Sequence, residues 1–307
     1  MGYHLPVKST SGAAPATSCQ DLENRYLDLL KDCLTRDLFL DDALVDVIAW
    51  EPTSALGHPD EVWAMLQRRG WRLVRGVRSE ERSAMGQSNI PTSAETMVGR
   101  ARLDNVEDAV RRVVADGIPG DLVETGVWRG GTVIFMRALL ATFGVTDRTV
   151  WACDSFVGLP APKPDLYPSD SSMKVDDADL KAMLDAGLAV SVDQVKANFE
   201  RYGLLDDQVR FVEGWFSDTL PSAPIDEIAV LRLDGDLYES TIDALVNLES
   251  KVSDGGFVII DDYGSIQACR DAVHDYRKER QITSPIVEVD WTGVYWRTDR
   301  NPDTVGR

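Results

Sequence analysis

Histidine and cysteine are scarce in this chain, which has 307 residues but only three of the first and four of the second. Cys19, Cys33, Cys153 and Cys269 form no CxxC pair and have no histidine at zinc-ligand spacing, so they read as buried or neutral thiols. With only His4, His58 and His274 available, neither a His-rich metal site nor a hydrolase triad assembles easily. Positive charge is short as well. The 32 Lys and Arg face 51 Asp and Glu, a formal net charge of −19, and no local basic patch interrupts it. Phosphate backbones and anionic lipid surfaces are therefore poor partners. No apolar run reaches the roughly 18 residues of a membrane span, and the N-terminus lacks the basic-then-apolar layout of a secretory signal. A soluble, cytoplasmic protein is expected. What the chain has in excess is carboxylate, and its chemistry should run on that.

At 44% hydrophobic, a chain of this length can bury a proper core as one large α/β domain with terminal additions or as two small domains. Residues 1–18 are small, polar and Pro-containing, and read as a flexible tail. Leu22, Tyr26, Leu29, Leu30 and Cys33 then recur at helical spacing, which predicts an amphipathic helix with that face inward. A second helix is expected over 105–116. From residue 121 short apolar runs at 121–125, 148–153, 208–213, 228–234 and 256–261 alternate with helical patterns at about 131–143, 190–202, 239–250 and 266–280. Strands without in/out polarity that alternate with helices belong to a parallel sheet covered on both faces. Residues 285–290 and 294–298 flank Trp291-Thr292-Gly293, a hairpin signal. A parallel sheet ending in an antiparallel hairpin is the layout of class I methyltransferases more than of dehydrogenases. The connection from Asp154 to about Leu205 is far longer than an ordinary βα loop, with Pro160, Pro162, Pro164 and Pro168 followed by Asp165, Asp170, Asp176, Asp177 and Asp179. It reads equally well as a solvated insertion or as a lid.

The first strand and its turn run Glu124-Thr125-Gly126-Val127-Trp128-Arg129-Gly130-Gly131-Thr132. This is not GxGxxG. Turn glycines allow a ligand close to the backbone, the following helix offers its N-terminus, and Glu124 suits an ammonium group, which S-adenosylmethionine has and NAD lacks. Asp154, with Ser155 after it, ends the second strand where an acid typically takes ribose hydroxyls. Gly214 and Trp215 end the third and could border an adenine. Asp234 and Asp236 close the fourth strand, and Asp261 and Asp262 the fifth. Carboxyl ends of neighbouring strands form the ligand crevice of an open α/β sheet, so these four acids should converge. Unpaired, they would repel and raise one another's pKa, a conflict that a divalent cation resolves. Oxygen-only ligands favour Mg2+, Mn2+ or Ca2+ over zinc. Helix capping could account for one such Asp, hardly for four.

Several segments together resemble the macrocin O-methyltransferase family: YLDLLKDCLTRDLF, AETMVGRARLDN, GDLVETGVWRGGTVIFMRALL, CDSFVGLPAP, VRFVEGWFSDTLP, LRLDGDLYESTIDAL and GGFVIIDDYG. One departure is NLESKVSDGG at 247–256, where LYPKLSPGG is more usual. The resemblance implies S-adenosylmethionine, Mg2+ and a hydroxyl acceptor on a sugar of a natural product, with a homodimer or higher homo-oligomer as the assembly. It implies an N-terminal helical or lid region over 19–119 and a methyltransferase domain over 120–300. Carried to matching positions, it makes Asp234, Asp261 and Asp262 metal ligands and Asp236 the general base. The expected cofactor-binding set is Thr96, Met97, Glu124, Thr125, Gly126, Gly130, Thr132, Asp154, Ser155, Gly214, Trp215 and Asp234, with the Thr96-Met97 loop closing over the methionine end. The acceptor stays open between macrolide, aminocoumarin and nucleotide sugars and a non-sugar hydroxyl. Two other classes also stay open: an NAD-dependent dehydrogenase and a noncatalytic cofactor-binding subunit.

Overall fold

A computed structural model describes residues 18–38, 44–46, 65–66, 68–71, 74–76, 93–173 and 187–299. The expected flexible tail, apart from Ser18, and the acids Asp176, Asp177 and Asp179 lie outside the described residues. Ser18 closes a capping box with Asp21 at the start of α1 (Cys19–Thr35). Two short strands, β1 (Leu44–Asp46) and β2 (Val74–Gly76), pair antiparallel, and α2 (Arg100–Ala115) follows. The alternating part comprises β3 (Asp121–Thr125), α3 (Gly131–Thr142), β4 (Val150–Asp154), α4 (Val192–Arg201), β5 (Val209–Glu213) and α5 (Phe216–Thr219). It continues through β6 (Ile228–Leu233), α6 (Tyr238–Leu248), β7 (Val252–Ile260) and α7 (Gln267–Glu279) to the hairpin β8 (Val287–Glu288) and β9 (Val294–Arg297).

The main sheet has the order β5-β4-β3-β6-β7-β9-β8. The first five are parallel, while β9 runs antiparallel to β7 and to β8. This is the parallel sheet with a terminal antiparallel hairpin that the apolar runs predict. Because β3 is flanked by β4 on one side and β6 on the other, the chain reverses direction of winding there, and the crevice opens at the carboxyl ends of β3 and β6. Every residue of β6 is buried, as expected of a strand covered on both faces. One apolar cluster lies on each side of the sheet. The first joins α3 to α1 and α2 through Phe135, Leu139, Leu27, Leu34 and Leu103, so the N-terminal helices share a core with the sheet. Among the described residues no helix is long and apolar enough to cross a membrane.

The inward face of α1 matches the predicted one at Leu30, which is buried, but not at Leu22, Tyr26 and Leu29. Leu22, Tyr26 and Leu29 are exposed, whereas Leu27, Leu30 and Leu34 are buried. The helix carries two apolar stripes, and ionic partners on α2 select between them. Lys31, beside the buried stripe, pairs with Asp104 and with Glu107 at 2.6 Å. Arg100 pairs with Asp28 and with Asp32 at 2.5 Å. Only one rotation of α1 satisfies these contacts. Leu27→Ala and Leu34→Ala should each cost roughly 2–5 kcal/mol in urea unfolding, and Leu22→Ala and Leu29→Ala less than about 0.5 kcal/mol. Equal losses at both stripes would contradict the assigned face.

Candidate functional site

The turn after β3 is held from every side by the protein. Asp154 Oδ2 accepts the Val127 and Trp128 amides at 2.6 and 3.4 Å, and Oδ1 accepts Phe156 N at 2.7 Å. Arg129 donates to the Ala94 carbonyl at 2.9 Å, and its own carbonyl accepts Asn198 Nδ2 at 2.7 Å. Trp128, at φ 49°, donates through Nε1 to Gly187 O at 2.8 Å.

Close packing of protein on protein constrains these glycines in addition to the ligand approach that their spacing suggests. A Cβ on Gly126 would lie 1.5 Å from the Asp234 carbonyl oxygen. One on Gly131 would lie 2.6 Å from Thr96 Cβ and 2.7 Å from the Glu95 carbonyl, which accepts Gly131 N at 2.9 Å. The first amide of α3 is thus already satisfied by the strap Ala94-Glu95-Thr96-Met97. Glu95 is buried and anchors that strap through Arg36 at 2.6 Å and Tyr202 at 3.1 Å.

Backbone ladders carry the carboxylates into register. Asp234 N donates to Thr125 O at 2.8 Å, and Asp261 N to Leu233 O at 2.9 Å. One carboxylate oxygen from each of Asp234, Asp261 and Asp262 falls within 4.8 Å of the others. Asp236 stands beside them and donates its amide to Asp262 Oδ2 at 3.3 Å. The four strand-end acids therefore converge as expected, but they are not the unpaired cluster that the sequence suggests. Arg232, 1% exposed near the carboxyl end of β6, pairs with Glu124, with Asp261 and with Asp234 at 3.0 Å. Arg102 of α2 holds the other oxygen of Asp261 and reaches Asp290 at 2.9 Å. Six carboxylates against two guanidiniums still leave four negative charges in excess if all ionise.

Burial opposes the charge on Arg232, but Asp261, Asp234 and Glu124 outweigh it and hold the guanidinium well above its ordinary value. The acids feel the opposite pressure. Burial raises Glu124 to about 8 despite Arg232, and its Oε2 has no hydrogen-bond partner among the described residues. Burial and the neighbouring Asp261 raise Asp234 to about 6. Burial, then Asp234 and Asp261, raise Asp236 to about 7, and burial with Asp236 beside it pushes Asp262 well above the carboxylate range.

These groups floor a cavity of about 800 Å³. Glu124, Gly126, Thr132, Asp154 and Ser155 line it with Thr96 and Met97, as do Asp234, Asp236, Asp261 and Asp262. Gly214 and Trp215 line the same cavity, and Trp215 is 40% exposed and so is not core. Of the predicted site residues, Thr125 and Gly130 do not line it. Thr125 is fully buried, and a Cβ on Gly130 would meet Val195 at 2.8 Å. The described part of the long insertion supplies a wall through Gly158–Ala161, Lys163 and Leu188.

Sequence reasoning passed over Arg102, Asp290 and Glu95, which come to the site from distant positions. Arg232 carried a signal, since a charged residue inside an otherwise apolar buried strand demands a partner.

Arg232→Met would leave Glu124, Asp234 and Asp261 facing one another, at a cost of roughly 3–5 kcal/mol in urea unfolding, and wild-type stability would contradict the account. The raised acids also set a pH dependence. Each holds its proton to higher pH when folded than when unfolded, so the folded state binds more protons in that window and stability falls as pH rises. The metal-free chain should melt at lower temperature at about pH 8 than at about pH 6, and Asp236→Asn should shallow that slope.

Comparison with known proteins agrees with this geometry. Residues 23–298 match the family described as Macrocin-O-methyltransferase (TylF). The chain is 51% identical over 278 residues to the 8-demethyl-8-(2,3-dimethoxy-alpha-L-rhamnosyl)-tetracenomycin-C 4'-O-methyltransferase of Streptomyces olivaceus, covering 91% of this chain and 94% of the relative. It is 50% identical over 218 residues to the mycinamicin III 3''-O-methyltransferase of Micromonospora griseorubida, covering 71% and 84% respectively. Among solved structures, the O-methyltransferase NovP superposes with a TM-score of 0.75 at 43% identity, over 91% of this chain and 100% of that one. These matches set aside the dehydrogenase and the noncatalytic subunit. The chain belongs to the macrocin O-methyltransferase family and is an enzyme that methylates oxygen.

Proposed function

We propose that the chain transfers the methyl group of S-adenosylmethionine to a sugar hydroxyl of a glycosylated natural product, with Mg2+ bound by Asp234, Asp261 and Asp262. The observation that carries this reading is the meeting of those three carboxylates with Asp236 in the lining of one cavity that Glu124 also lines. The donor set is all oxygen and retains excess negative charge after Arg102 and Arg232 are counted, which suits a hard divalent cation. The buried, unpartnered Oε2 of Glu124 suits the ammonium of the cofactor, and Asp154 and Ser155 suit its ribose. Rhamnosyl in the name of the Streptomyces olivaceus relative supports a sugar acceptor. We take the enzyme to act in the cytoplasm, and as a homodimer or higher homo-oligomer, an assembly that the exposed stripe Leu22, Tyr26 and Leu29 on α1 supports.

S-adenosylmethionine supplies an electrophilic methyl group, and Mg2+ supplies Lewis acidity toward the acceptor hydroxyl. The chain supplies alignment and a proton acceptor. Walls from the insertion and the 94–97 strap confine donor and acceptor so that oxygen, methyl and sulfur can lie in line. A carboxylate oxygen of Asp236 takes the hydroxyl proton. A sugar hydroxyl is nearly as weak an acid as water at about 15.7, and Asp236 lies at about 7, so complete transfer before attack would cost on the order of 12 kcal/mol. Proton transfer to Asp236 therefore accompanies bond formation to the methyl group.

Asp236→Asn should lower turnover roughly 10²–10⁴-fold while S-adenosylmethionine binding by calorimetry stays near wild type. Mass spectrometry of products from a panel of glycosides and their aglycones reads both activity and acceptor. Unchanged turnover in the variant sinks the base, full activity in EDTA sinks the metal, and methylation of aglycones alone sinks the sugar.

A further inference from the structure

The insertion after β4 reaches past the cavity wall to the helix that follows the Asp236 turn. Asp170 lies on the 3-10 turn Pro168–Met173 and is 1% exposed. Its Oδ1 accepts Tyr238 N, the first amide of α6, at 2.7 Å. The N-cap position of α6 is Leu237, which has no side-chain oxygen to satisfy the open amides of the first turn. Asp170 provides the missing acceptor from 68 residues away in the chain. Its negative charge also suits the positive end of the helix dipole. The docking is reinforced on both sides. Tyr167 stacks on Tyr238 with centroids 5.6 Å apart, and Ser169 Oγ donates to Asp271 Oδ2 on α7 at 2.7 Å.

Immediately before Leu237 stands Asp236, a non-glycine residue at φ 59°. Leu237 N turns back to donate to the Gly235 carbonyl at 2.6 Å. Such a conformation persists only where the surrounding structure holds both ends of the segment. The upstream end is held in the sheet by Asp234 N on Thr125 O at 2.8 Å. The downstream end is α6, and the side chain on its first amide is Asp170.

We propose that Asp170 is a positioning residue for methyl transfer: its carboxylate, carried on the insertion, caps α6 and thereby holds the Asp236 turn in its left-handed conformation. The proposal rests on Asp236 being the base. It gives the insertion a second role besides walling the cavity.

The test uses the full-length protein and the pair Asp170→Ala and Asp170→Asn, since Asn keeps the accepting oxygen and Ala removes it. Hydrogen exchange is read at residues 235–241. Turnover is read with S-adenosylmethionine and the tetracenomycin-C rhamnoside whose methylation names the Streptomyces olivaceus relative. Asp170→Ala should speed exchange in that segment but not in β3 or α3, and should lower kcat roughly ten- to a hundredfold with KM for S-adenosylmethionine unchanged. Asp170→Asn should stay within about threefold of wild type on both readouts. In an Asp236→Asn background, Asp170→Ala should cause no further loss of kcat. Unchanged exchange at 235–241 overturns the cap, and faster exchange with unchanged kcat overturns the positioning role. An Asp236→Asn enzyme with full turnover defeats the base assignment instead, while the exchange result still decides whether Asp170 caps α6.

Discussion

Arg232 sits fully buried near the carboxyl end of β6 with three carboxylate partners, and the site is organised around the need to keep that charge paired. A guanidinium offers a rigid fork of donors, so one side chain can bind Glu124 from β3, Asp261 after β7 and Asp234 from its own strand end. Each carboxylate ties its strand exit to the same guanidinium, which fixes the exits relative to one another. Arg102 extends the same network to the N-terminal helices, because its grip on Asp261 and Asp290 ties α2 to both the floor of the cavity and the terminal hairpin. The helical N-terminal region is in this sense part of the site.

The pairing is deliberately incomplete in charge. Two guanidiniums pair with Glu124, Asp234, Asp261 and Asp290, and with Asp236 and Asp262 counted the acids outnumber them by four when all are ionised. Burial then raises the acids and makes the cluster costly at neutral pH, a cost that a bound cation and a cationic cofactor would offset. The formal charge of −19 therefore overstates what the working site would carry.

Much of the architecture was legible. Parallel strands declared themselves as uninterrupted apolar runs, and the acids at two strand ends pointed to one crevice because sheet topology brings carboxyl ends together. Three things were not legible, for three physical reasons. The buried face of α1 was ambiguous because the helix has two apolar stripes, and the choice depends on Lys31 of α1 meeting acids on α2 and Arg100 of α2 meeting acids on α1. The glycine turn showed its spacing but not its packing: Asp234 and the Glu95-Thr96 strap come too close to Gly126 and Gly131 for a Cβ. Arg102 was invisible because its partner Asp261 is 159 residues away, and pairwise contacts at that separation leave no local pattern.

We propose that this arginine-braced acid cluster takes one divalent cation, with Asp236 reserved for the proton. Calorimetric titration of Mg2+ into the full-length protein tests it most directly. The account predicts binding of one ion per chain, retained in Asp236→Asn and lost in Asp262→Asn. Absence of binding to the wild-type protein, or binding that survives Asp262→Asn unchanged, would contradict it.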